Sequence, residues 1–81
     1  MLVKLHKSYR TVVAICDSEL IGKKFEEGKK QLYVRENFYK GEEIEEVELI
    51  KILGFQAKED AIFNIVGKKS VVAAVKAGII D

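Results

Sequence analysis

The segment Lys23–Lys40 carries the residue types that hold a polyanion. Lys23, Lys24, Lys29, Lys30, Arg35 and Lys40 stand against Glu26, Glu27 and Glu36, with Phe25, Tyr33, Phe38 and Tyr39 interleaved. Cations track phosphates and aromatic rings stack on bases, the combination that single-stranded nucleic acid requires. Lys23, Lys24, Lys29, Lys30 and Arg35 are the expected phosphate contacts, and Tyr33 and Tyr39 the expected stacking platforms. An acidic block, Glu42–Glu48, follows directly and makes the chain dipolar, which would steer a polyanion toward one side. A plainer account competes: Phe25 and Phe38 belong to the core and the lysines are solvated surface. The net charge is only +1, whereas nucleic-acid modules usually show a clearer basic excess.

Other chemistry fares worse on spacing. Gly67-Lys68-Lys69-Ser70 precedes a helix, where backbone N–H groups attract anions. A phosphate loop needs a glycine five residues before Gly67 and a hydroxyl directly after the first lysine, and Ile62 and Lys69 occupy those positions. The same stretch is similar to a helix-hairpin-helix DNA element but has one glycine where such hairpins usually have two, so helix capping accounts for it. His6, the sole histidine, has no spaced His or Cys partner for a metal and reads as a surface residue. Cys16 precedes Asp17 but ends an apolar strand, where thiols are usually inert. The glutamates of Glu42–Glu48 suit the electrostatics of a helix start. No catalytic, metal or cofactor motif stands out, so a non-enzymatic protein without cofactor is expected.

Eighty-one residues, 48% of them apolar, define one domain of a size that must use its core efficiently. One cysteine excludes an internal disulfide and any Cys-based zinc cluster. The opening Met-Leu-Val-Lys-Leu-His-Lys becomes charged too early for a secretory signal, and no apolar run reaches membrane-spanning length. A cytoplasmic protein with no membrane partner is expected. Twelve of 14 cations are Lys and 10 of 13 anions are Glu, with two Asn and two Gln, a skew seen in hyperthermophiles.

The elements that would position these residues follow from periodicity. Leu2–His6 alternates as a half-buried strand, and Thr11–Cys16 is apolar on both faces, so the two form a hairpin with a covered second strand. Asp17 or Ser18 caps a short helical turn that Gly22 ends. Lys30–Arg35 alternates as a third strand. Glu45–Leu53 is a helix with Ile44, Val47, Ile50 and Leu53 on its apolar stripe, widened by Leu49 and Ile52, and Gly54 after its end. Phe55–Glu59 reads as a loop and Asp60–Val66 as a helical turn started by Asp60. The last helix starts at Gly67 or Ser70, buries Val71, Val72, Ala74 and Val75, and stops at Gly78. Strands first and helices after predict an α+β domain: a small antiparallel sheet of the N-terminal hairpin plus the third strand, with two or three helices on one face.

Several strings in this order resemble domain of unknown function family 424. They are Val12-Val-Ala-Ile-Cys-Asp17, Leu20-Ile-Gly-Lys-Lys-Phe25, Leu32-Tyr-Val-Arg-Glu-Asn-Phe-Tyr-Lys-Gly41, Asn64-Ile-Val-Gly67 and Ala77-Gly-Ile-Ile-Asp81. The resemblance implies an archaeal, cytoplasmic α+β protein with no established activity. Family members continue past the position of Asp81 into a further strand and a tail with His and Gln, which implies that 1–81 lacks them. Association of the family with translation genes implies RNA or a ribonucleoprotein as partner. The alternative is a protein-interaction or homodimer module that docks through Ile79, Ile80 or the edge of Leu2–His6.

Overall fold

Alternation in the first sixteen residues produces the hairpin. The computed structural model describes residues 1–80 and shows β1 (Leu2–His6) paired antiparallel with β2 (Val12–Cys16), Leu2 opposite Cys16 and His6 opposite Val12. A 3-10 turn (Ser18–Leu20) leads to β3 (Lys24–Glu27) and β4 (Lys30–Tyr33). Then come α1 (Glu36–Tyr39), β5 (Glu42–Glu43), α2 (Glu46–Lys58), β6 (Ile62–Val66) and α3 (Lys68–Lys76). The main sheet has the order β5-β1-β2-β6, with β6 parallel to β2 and the other neighbours antiparallel.

The period of two along β2 sends its side chains into two separate cores. Val13 and Ile15 face Val3, Ile44, Leu49, Leu53, Ala73 and Ala74, the layer formed with α2 and α3. Ala14 and Cys16 face Leu2, Val34 and Tyr39 on the other side. The α+β class is therefore as expected, but helices lie on both faces rather than one. The N-terminal ammonium donates to the Glu43 carboxylate and to the Ile44 carbonyl (3.2 Å), tying β5 to the start of β1. Bonds from that ammonium, then from the Ser18 hydroxyl, hold the Glu43 carboxyl below its ordinary range.

Four expectations about the elements are corrected. The Lys30–Arg35 strand ends at Tyr33 and pairs with β3, not with the N-terminal hairpin. Asp60 starts no helix: it sits at φ 60° just beyond α2, and Ile62–Val66 joins the sheet as a strand. That run is β-branched and aromatic, and pairing with β2 decides between two readings that periodicity alone leaves open. α2 continues through Gly54 and the expected loop to Lys58, because a helical glycine costs only about 1 kcal/mol and Lys58 complements the C-terminal dipole. Val47, expected on the apolar stripe, is 66% exposed, whereas Ile44, Leu49 and Leu53 are buried and Ile50 and Ile52 pack against the same core as predicted.

α3, by contrast, is rotated from its expected face. It buries Ser70, Ala73 and Ala74 and leaves Val71, Val72 and Val75 39–47% exposed. Small side chains let the helix approach the sheet closely, and a valine stripe would hold it off. Gly78, at φ 78°, ends the helix as expected: Ile79 N–H bonds to Ala74 O (3.2 Å) and Gly78 N–H to Val75 O (3.0 Å), a Schellman arrangement.

The start of α3 depends on Asp17 rather than on a local residue. Its buried carboxylate accepts bonds from the N–H groups of Lys69 (3.1 Å) and Ser70 (2.8 Å) and from the Ser70 hydroxyl (2.7 Å). Expected to cap the turn after β2, Asp17 makes no side-chain bond there. Gly67 has φ 107°, and a Cβ at that position would lie 2.3 Å from the Asp17 Cγ. Asp17→Ala removes a cap and strands the buried Ser70 hydroxyl, so it should cost about 2–4 kcal/mol in urea unfolding. Gly67→Ala, combining a left-handed φ with that clash, should cost about as much. A loss below ~1 kcal/mol in both would show that α3 does not need this cap.

Candidate nucleic-acid interface

The basic segment folds into a hairpin that stands apart from both cores. Every residue from Gly22 to Tyr33 is exposed. Gly28 at φ 60° followed by Lys29 makes a two-residue connection of the II′ type, which matches strand twist and sets Glu27 opposite Lys30. Its base is pinned at one residue: Val34, fully buried, with Val34 N–H bonded to Lys23 O (2.9 Å) and Gly22 N–H to Val34 O (2.7 Å).

The register sorts the hairpin into two chemically different faces. Lys24, Glu26, Gln31 and Tyr33 share one, with Lys24 directly opposite Tyr33. The Lys24 ammonium lies 5.0 Å and the Arg35 guanidinium 4.9 Å from the centre of the Tyr33 ring, within the range of cation–π attraction. Phe25 and Leu32 stand opposite each other on the second face, each 42% exposed. Phe25 is thus not a core residue. Among the described residues, Lys23, Lys24, Lys29, Lys30 and Arg35 have no carboxylate within ion-pair distance.

The structure places Lys24 and Arg35 at the Tyr33 ring, Lys23 at the hairpin root, Lys29 in the turn and Lys30 on the face of Phe25 and Leu32, and it buries Tyr39 in the core. Tyr39 is only 7% exposed and packs with Leu2, Ala14, Cys16 and Val34. It is wall, not platform, and a base could reach its ring only by opening the core. Phe38, half-buried, stacks on His6 with ring centres 4.5 Å apart and 14° between planes. His6 Nε2–H donates to Phe38 O at 2.7 Å, so the histidine braces α1 against β1 and is not a free surface group. The cation–π cluster could not be read from spacing alone, although Lys24 and Tyr33 become partners once the Gly28 turn is recognised.

His6 and Cys16 lie at opposite ends of the β1–β2 ladder, about 13 Å apart along the strands, too far for a nucleophile and its base. Among the described residues no three His, Cys, Asp or Glu side chains converge as a metal site, and no helix is long and apolar enough to cross a membrane. Burial, then the neighbouring Asp17 charge, raises the Cys16 thiol from 9.0 to about 11. Burial likewise raises the Tyr39 phenol.

A mixed four-stranded sheet covered by helices, with an appended hairpin, places the protein in the α+β class. The family model described as Protein of unknown function (DUF424) matches residues 6–81, and the chain belongs to that family. A crystal structure of an uncharacterized conserved protein from the archaeon Methanopyrus kandleri is similar, with a TM-score of 0.86 and 25% identity over 98% of this chain and 74% of that one. No curated protein matches.

The raised thiol has a consequence for stability. Below pH 9 the folded and unfolded chains both keep the Cys16 proton. Between about 9 and 11 only the folded chain keeps it, so stability falls as pH rises through this window. Urea unfolding across it should show a shallower pH slope in Cys16→Ala than in the wild type. Equal slopes would show that the thiol does not titrate differently in the two states.

Proposed function

We propose that the protein is a non-catalytic module that binds single-stranded RNA, alone or within a translation-associated ribonucleoprotein, through the β3–β4 hairpin. The observation that carries this reading is the exposed cluster of Tyr33 with Lys24 and Arg35, flanked by cations without partners. A stacked base would replace one cation on the ring and release it to the adjoining phosphate. Lys29 in the turn and Lys30, on the opposite face of the strand, add positive charge at the hairpin tip. From Lys23 to Lys40 six cations face three glutamates, a local excess that the net charge of +1 hides. The archaeal cytoplasm is the setting this reading implies, in keeping with a single buried thiol.

Binding of a fluorescent mixed-sequence oligoribonucleotide tests it. Lys29→Glu/Lys30→Glu should weaken binding and flatten its log–log salt dependence by about 1.4, two phosphate contacts at ~0.7 each. Tyr33→Ala should lose about tenfold, the stacking share of one base. No measurable affinity at low salt would overturn the reading.

The second face of the hairpin favours a protein contact instead. Phe25 and Leu32 form an apolar cross-strand pair, each 42% exposed among the described residues. Phe25→Ser/Leu32→Ser should leave urea unfolding within about 0.5 kcal/mol of wild type, as befits surface positions. Where RNA is the partner, this variant keeps its affinity. Loss of RNA binding in it would assign recognition to the apolar face.

A further inference from the structure

Two of the places expected to dock a partner are occupied from within the chain. The edge of Leu2–His6 is taken: β5 pairs with Leu2 and Val3, Lys4 Nζ donates to Asn37 O (2.8 Å) and His6 to Phe38 O. Ile79 packs against the core. The Tyr33 face of the hairpin, by contrast, is open and concave. Lys24, Glu26, Gln31, Tyr33 and Arg35 are among the walls of a cavity of about 360 Å³ there, a volume within the range of small-ligand sites.

The register orders this face along the hairpin. Lys24 stands across from Tyr33, and the next pair toward the tip is Glu26 across from Gln31. Paired positions lie about 5 Å apart and successive positions on one face about 7 Å apart, so Glu26 and Gln31 border the place where Lys24 meets the ring. Charge is unbalanced there. The Lys24 ammonium goes to the Tyr33 ring, and Glu26 has no ion pair among the described residues. Neither the Glu26 carboxylate nor the Gln31 amide makes a side-chain hydrogen bond among them. Glu27, on the other face, stands across from Lys30, whereas Glu26 stands across from a neutral amide. On a surface that receives phosphates, an unpartnered carboxylate repels the ligand unless donors meet it.

Resting on the reading that this face holds single-stranded RNA, we infer that it selects guanine. The base stacks on Tyr33 in place of Lys24, Glu26 accepts from its N1–H and N2–H, and Gln31 donates to its O6. An ionised carboxylate only accepts hydrogen bonds, through two oxygens. Guanine alone among the four RNA bases sets two donors side by side on its Watson–Crick edge. Adenine and cytosine each set one amino donor beside an unprotonated ring nitrogen, whose lone pair would face the second carboxylate oxygen. Uracil has one N–H between two carbonyls. A single strand leaves this edge free to be read, and the displaced Lys24 ammonium turns to the adjoining phosphate. Glu26 thus attracts one base and repels the rest, so that a charge unfavourable to RNA in general becomes a source of specificity.

Fluorescence anisotropy tests it with a short uridine oligoribonucleotide and the same strand carrying a central adenosine, cytidine or guanosine. The guanosine strand should bind about tenfold more tightly than the other three. Inosine, which keeps N1–H but lacks the N2 amino group, should fall between. Glu26→Gln, at an exposed position, should leave the urea unfolding midpoint unchanged. It should bring the guanosine strand to the level of the others while the plain uridine strand binds as well as before or better. Equal binding of all four strands by the wild type would overturn guanine selection and leave the RNA reading standing, whereas no binding of any strand would overturn both. A guanosine preference that survives in Glu26→Gln, with all affinities moved by one common factor, would also overturn the inference, since it would reduce Glu26 to a surface charge.

Discussion

The Asp17 carboxylate is the point from which the arrangement of the molecule hangs. It sits where β2 ends, buried, and its backbone N–H bonds to Val66 at the end of β6. Its backbone carbonyl starts the 3-10 turn by accepting from Leu20 N–H, and its oxygens receive the first N–H groups of α3. One residue therefore fixes the parallel strand, the exit toward the hairpin and the last helix. An anion out of water is costly unless its lone pairs are met, and three donors meet them here. Gly67 leaves the room that this requires, since any side chain there would fall on the carboxylate.

With that end fixed, the two sides of β2 serve different purposes. The side that packs on α2 and α3 is the larger core, built from Leu49, Leu53 and the alanines of α3. The side that packs on Tyr39 and Val34 is smaller, and its task is to hold the root of the hairpin. Val34 stands between two exposed residues, Tyr33 and Arg35, so a single buried side chain sets how the cation–π cluster leaves the body. Tyr39, which resembles Tyr33 in sequence context, is spent on that foundation.

What could be read from the sequence was what depends on neighbours along the chain. The β1–β2 hairpin, the turn ended by Gly22, the glutamate-rich start of α2 and the Gly78 stop follow from local patterning, and each is present. Readings failed where a distant partner decides. Asp17 and Ser70 are 53 residues apart, so the cap could not be assigned from its local context. Ile62–Val66 becomes a strand only beside β2, and α3 turns its alanines inward because the sheet lies close. For the candidate site, the basic and aromatic character of Lys23–Lys40 was legible at once. Which tyrosine faces water was not, since that depends on the second core.

The slender root of the hairpin also bears on how such a protein can change over generations. β3 and β4 contribute almost nothing to either core, so substitutions there escape the stability threshold that polices most positions in a small domain. The body can stay fixed while the projecting loop drifts, lengthens or is exchanged. The surface of the hairpin and the folding of the body are thus separable traits, with Val34 as the hinge between them.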